Sequence, residues 1–182
     1  MLLVSLLTGG GAWAQATSPD PHLRALLLEA VAESASFEDR FDAEVWLTDM
    51  SSRLTRYMPD AAERLEFLRL LHGEAARAEL PAELVLAVIE VESAFDRFAI
   101  SHAGALGLMQ VMPFWLDEIG RPGDNLFEVQ TNLRFGCTIL KYYLDMEKGN
   151  LINALGRYNG SYGRMKYPNK VLKALNRRWY RS

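Results

Sequence analysis

A single cysteine, Cys137, excludes an internal disulfide. It sits in the helical pattern Leu133-Arg134-Phe135-Gly136-Cys137-Thr138-Ile139-Leu140, where a thiol is most simply a small core residue. The three histidines, His22, His72 and His102, are far apart and lack ligand spacing, so neither a metal site nor a cofactor is expected. No Lys-Ser/Thr pair follows Gly104–Gly107, which argues against a phosphate-cradling loop. A Gly-x-Ser-x-Gly elbow is also missing, which argues against a Ser–His hydrolase. Beyond the N-terminus no run is apolar for long enough to span a bilayer. Repeats and low-complexity tracts are absent, and 182 residues suit one compact domain with a small extension.

What is present begins with a greasy start. Met1-Leu2-Leu3-Val4-Ser5-Leu6-Leu7-Thr8, then Gly9 to Gly11 and Ala12-Trp13-Ala14-Gln15, reads as the apolar region and small-residue cleavage site of a secretory signal. Residues 1–14 are therefore expected to be a signal peptide, without the usual basic lead-in. Export without disulfides suits a bacterial periplasm. Charge is uneven: from Lys141 onward ten Lys/Arg face two Asp/Glu, a balance of +8 in a chain of net −3. The basic tail (Arg164, Lys166, Lys170, Lys173, Arg177, Arg178, Arg181) fits either an anionic polymer or a solvated helix face balanced by the acidic half. Nucleic acid is not expected, because no recognition motif accompanies the charge.

Nearly every segment carries helical periodicity and none alternates like a strand, so the fold class is all-α. The pattern predicts helices over Pro21–Ser34 and Phe41–Tyr57. A third starts at Asp60, which with Glu63 makes a capping-box pattern ahead of the stripe Leu65, Leu68, His72 and Ala75. A fourth follows Leu80-Pro81 and carries Glu92. Others are expected over Leu108–Ile119, Val129–Glu147, Leu151–Tyr158 and Asn169–Trp179, with a turn-rich break at Gly120–Asn125.

Glu92 is the acid out of place. At helical spacing it shares a face with Val85, Val88, Ile89 and Phe95, whereas Glu90 lies about 200° away. A carboxyl on an apolar face loses water, which raises its pKa and lets it hold a proton near neutrality. Such a group is suited to general acid catalysis. Two further patches carry chemistry. Gly104-Ala105-Leu106-Gly107-Leu108-Met109-Gln110-Val111-Met112-Pro113 offers close backbone approach, an amide and a flexible apolar wall. Arg157-Tyr158-Asn159-Gly160-Ser161 places a phenol beside an amide at a helix end.

Together and in this order, Glu92-Ser93-Ala94-Phe95, Ala99-Ile100-Ser101, the Gly104–Pro113 string and Tyr158-Asn159-Gly160 resemble the soluble lytic transglycosylase family, related to goose-type lysozyme. The resemblance covers roughly Leu80 to Trp179. It implies a lysozyme-like helical domain over 77–182, preceded by a helical extension over 15–76, and a groove that binds glycan strands of peptidoglycan. It implies Glu92 as the single catalytic acid/base, with Ser101, Gln110, Met112, Tyr158 and Asn159 binding substrate. Gly156-Arg157 stands where the family commonly has an Ala pair. The implied reaction cleaves the bond between N-acetylmuramic acid and N-acetylglucosamine and closes a 1,6-anhydro ring, the substrate's acetamido group replacing a second carboxylate. Hydrolysis with Asp117 or Asp124 as base, and a non-catalytic peptidoglycan-binding module, are the alternatives. A cell-wall or secretion-machinery protein is the further partner compatible with this reading.

Overall fold

The computed structural model describes residues 39–180 together with 22, 25, 30, 35 and 36. The expected signal peptide lies outside the described residues, as does Arg181. So does most of the expected first helix, of which His22, Ala25 and Ala30 are helical.

Seven α-helices follow from residue 39: α1 (Arg40–Leu54), α2 (Ala61–Arg77), α3 (Ala82–Glu92), α4 (Trp115–Ile119), α5 (Val129–Met146), α6 (Leu151–Tyr158) and α7 (Lys166–Ala174). A five-residue π-helical turn, Leu175–Trp179, continues α7. Two isolated antiparallel bridges, Ile100 to Leu106 and Leu106 to Val111, are the β-type pairings among the described residues. The class is all-α.

Local chemistry sets the helix starts. Asp39 caps α1, its carboxylate accepting from the Phe41 and Asp42 amides at 2.6 and 3.3 Å. Asp60 caps α2 by accepting from the Glu63 amide at 2.8 Å, the contact its spacing predicts. α3 is buried on nearly all sides: Leu84, Val85, Leu86, Ala87, Val88 and Ile89 are each at most 3% exposed. A helix apolar all round belongs at the centre of a bundle. Burying each of its larger side chains contributes about 1.5–3 kcal/mol. α2 and α5 pack on each other, and α7 with its π turn packs along α3. One continuous core joins α1 and α2 to the later helices, with Leu47, Met50 and Leu68 in the same cluster as Leu86, Phe135 and Trp179.

The expected helix over Leu108–Ile119 is not formed as such. Only Trp115–Ile119 is helical, and 104–112 is a tight loop closed by the two bridges. Gly107 and Gln110 have φ of 74° and 51°, left-handed values that an α-helix excludes. Gly107 is also pressed against the Asn132 side chain and the Leu126 carbonyl, where a Cβ would collide. The last helix begins at Lys166 rather than Asn169. Pro168 falls in its first turn, where amides have no intrahelical partner and proline costs little.

Candidate active site

α3 ends at Glu92, and the next three residues fix how that end is held. The Ser93 hydroxyl donates to the carbonyls of Leu108 (2.8 Å) and Ile89 (3.2 Å), stitching the loop to the helix. Ala94 and Phe95 are left-handed, with φ of 51° and 68°. Such residues cost about 1–2 kcal/mol each. Strain of this kind clusters at functional sites. Phe95 therefore leaves the helical face that its spacing predicts it would share with Glu92. It turns into the core, where its ring lies 4.6 Å from Tyr57, 5.6 Å from Trp179 and 6.0 Å from Phe67. That burial offsets the backbone strain.

The Glu92 carboxyl accepts a hydrogen bond from the Tyr167 hydroxyl at 2.6 Å. Burial pushes its pKa above the ordinary glutamate value, while hydrogen bonds from Tyr167 and Asn159 pull the other way. No cation is among the causes of that shift. The carboxyl opens on a cavity of about 330 Å³ lined by Val91, Asn159, Ser161 and Tyr167, with Arg164, Lys166 and Lys170 beside them. Glu92 is the one acid lining this cavity among the described residues. The arrangement can present a proton from a desolvated carboxyl, steadied by a phenol, to a ligand in an open cleft.

Tyr158 lies close by, its phenol pKa pushed well up by burial and then by the charge of Glu92. Its hydroxyl, however, donates to the Met109 carbonyl at 2.7 Å and so ties α6 to the loop. Asn159 shares the Glu92 cavity. Ser101, Gln110 and Met112 line none of it. Ser101 works within its own turn, its Oγ accepting from the Ala105 amide at 3.0 Å. The Gln110 amide nitrogen donates to the carbonyls of Gly107 (2.9 Å) and Ala99 (3.2 Å), which holds the loop's left-handed bend. Met112 is half-buried just before Pro113.

Two residues that the sequence analysis does not name organise the site. Tyr167 has a legible signal once α7 starts at Lys166: Tyr167, Val171 and Ala174 then recur on one buried face, and a buried phenol needs a partner. Asn132 is 1% exposed in the first turn of α5. It accepts from the Met109 amide at 2.8 Å and donates to the carbonyls of Leu126 (2.7 Å) and Leu106 (2.9 Å). One turn later on the same face, Gly136 leaves the notch that admits the Met109 side chain. A buried amide in a helical pattern is the only trace of this in the sequence.

The other acids of interest are engaged elsewhere. Asp124 is paired with Arg134 and accepts from the Arg121 amide at 2.8 Å, and these contacts lower its pKa. Asp117 is exposed on α4.

Residues 69–178 match the family described as the transglycosylase SLT domain. The chain belongs to that family. It is 31% identical over 114 residues to membrane-bound lytic murein transglycosylase C of Yersinia pestis (strain Pestoides F), covering 54% of this chain and 32% of the relative. The same figures hold for the protein of that name from Yersinia pseudotuberculosis serotype O:1b (strain IP 31758). The chain thus spans about a third of the length of these curated relatives. Among solved structures it is similar to the 70 kDa soluble lytic transglycosylase of Escherichia coli, with a TM-score of 0.49 and 20% identity, covering 86% of this chain and 29% of that one. An inactive mutant of the lytic transglycosylase Slt from Pseudomonas aeruginosa gives a TM-score of 0.48 at 20% identity, over 86% of this chain and 34% of that one.

Proposed function

We propose that this SLT-family chain is a lytic transglycosylase acting on peptidoglycan, with Glu92 as its single acid/base. The observation that carries the reading is a desolvated carboxyl, held by Tyr167, in a cleft that no second acid lines among the described residues. Protonated Glu92 delivers its proton to the oxygen joining N-acetylmuramic acid to N-acetylglucosamine. As that bond breaks, the 2-acetamido carbonyl of the muramic sugar stabilises the positive charge at C1, as in substrate-assisted glycosidases. Glu92, now a carboxylate, takes the proton of the C6 hydroxyl, whose oxygen closes on C1. The carboxyl ends protonated, ready for another turnover.

Tyr167 and Asn159 favour the charged form of Glu92, and burial favours the neutral form. The balance lets one group act first as acid and then as base. Tyr158, Ser101 and Gln110 hold the loop that faces it, and Met112 supplies an apolar wall to the glycan. The extension before residue 77 backs the catalytic helices. Among the described residues no helix is long and apolar enough to cross a membrane, and an exported enzyme working in the periplasm fits the substrate.

Weighing the products of purified sacculi tests the reaction. Fragments lighter by one water and lacking a reducing end support it. Reducing muramic acid ends would instead assign hydrolysis, and intact sacculi would leave a glycan-binding module.

A further inference from the structure

Three cations, Arg164, Lys166 and Lys170, line the cavity into which Glu92 opens. Other basic residues nearby are neutralised: Arg157 pairs with Glu147 and Arg178 with Glu90. These three are exposed and form no ion pair or side-chain hydrogen bond with the described residues. Lys166 and Lys170 are four residues apart on α7, so they share a face. Like charges at that spacing repel and disfavour a helix. The cavity holds no acid except Glu92 to relieve them. Its wall also contains the Ser161 hydroxyl, a buried oxygen with no hydrogen-bond partner. Because all three are exposed while lining the cavity, the cations stand at its rim. A cleft with three unpaired cations at its lip and an orphaned hydroxyl in its wall suits an anionic oxygen ligand.

The geometry points to a carboxylate-binding subsite formed by Arg164, Lys166 and Lys170, which selects muramyl glycans bearing a free carboxylate beside the scissile bond. This rests on the peptidoglycan reading above. Two sources supply that chemistry: the free carboxylates of a stem peptide, or the lactyl carboxylate that remains when the peptide has been removed. Either would be held as an ion pair at the cavity rim while the glycosidic oxygen faces Glu92.

Equilibrium binding tests the subsite without turnover, using the full chain carrying Glu92→Gln. Three muramyl glycan chains of equal length serve as probes: one with stem peptides, one stripped to the lactyl carboxylate, and one with that carboxylate amidated. The subsite requires at least one carboxylate-bearing chain to bind more tightly than the amidated chain, and whichever does names the source. Adding Lys166→Gln and Lys170→Gln should weaken that chain roughly 5-fold and flatten its salt dependence, with the amidated chain unchanged. Equal affinity for all three probes overturns the subsite, as does an equal loss on every probe. A thermal melt matching that of the single variant shows that the fold is kept. Because binding alone is read, failure here is distinct from failure of the acid assignment, which cleavage by Glu92→Gln would reveal.

Discussion

Glu90 and Glu92 stand two residues apart on one helix and meet opposite fates. The Glu90 carboxylate is 8% exposed, yet it is fully partnered: Arg178 pairs with it, the Trp179 indole donates at 2.8 Å, and Arg56 stands at 3.8 Å. Glu92 has a phenol and an amide but no cation. The first acid fastens the C-terminal π turn to α3. The second keeps a raised pKa despite its hydrogen bonds, which suits the proposed role of proton donor. Burial alone does not separate a structural acid from a catalytic one. The partner does: a guanidinium locks the charge in place, whereas a neutral hydroxyl leaves protonation in the balance.

The sharpest way to break the contrast is to remove each carboxylate in turn. Glu92→Gln should lower cleavage of sacculi by about 10²–10⁴-fold, the range of general acid–base catalysis. Its effect on stability should have the opposite sign from most buried substitutions. A carboxyl with raised folded pKa contributes stability at low pH that is lost as pH rises through that folded value. Glutamine carries no such loss, so the variant should gain on the parent as pH climbs through that range, as thermal melts across pH would show. Asn132→Ala removes three hydrogen bonds to the loop and should cost about 3 kcal/mol in chemical denaturation. Glu90→Gln should cost about 1–3 kcal/mol of stability, since Arg178 is partly hydrated, with activity per folded molecule retained. Loss of cleavage in a folded Glu90→Gln protein would erase the distinction.

Tyr158→Phe should cost about 1 kcal/mol of stability by leaving the Met109 carbonyl unpaired, with a smaller change in kcat/KM than that of Glu92→Gln. Tyr167→Phe sharpens the comparison most finely. Its hydroxyl favours the ionised form of Glu92, so its removal should raise that pKa and move the alkaline limb of the pH–rate profile upward. A downward shift would show the hydroxyl favouring the neutral acid.

The class, the central helix and the unusual setting of Glu92 are legible because burial leaves a mark on periodicity. Leu84 to Ile89 form an unbroken apolar run that only a central helix accommodates, and Leu151–Tyr158 is helical over the predicted span. Glu90 is less legible. Its angular position separates it from Glu92, but the opposite side of α3 is covered by Arg178 and Trp179, residues 88 and 89 positions later. The loop after residue 104 misleads for a different reason. Leu108, Met109, Val111 and Leu116 mimic a helical stripe, while Gln110 in a left-handed conformation is set by side-chain bonds that composition does not encode. Tyr167 is hidden by a helix start displaced three residues by Pro168. For Glu90 and Tyr167 a partner distant along the chain decides the role.

The titration of Glu92 itself, followed by carbon-13 NMR of the side-chain carboxyl in the intact folded chain, bears on all of this at once. A midpoint above the ordinary glutamate value of 4.5 is the expected result. A midpoint at or below that value would mean the carboxyl is ionised like any surface acid, and would contradict its role as proton donor.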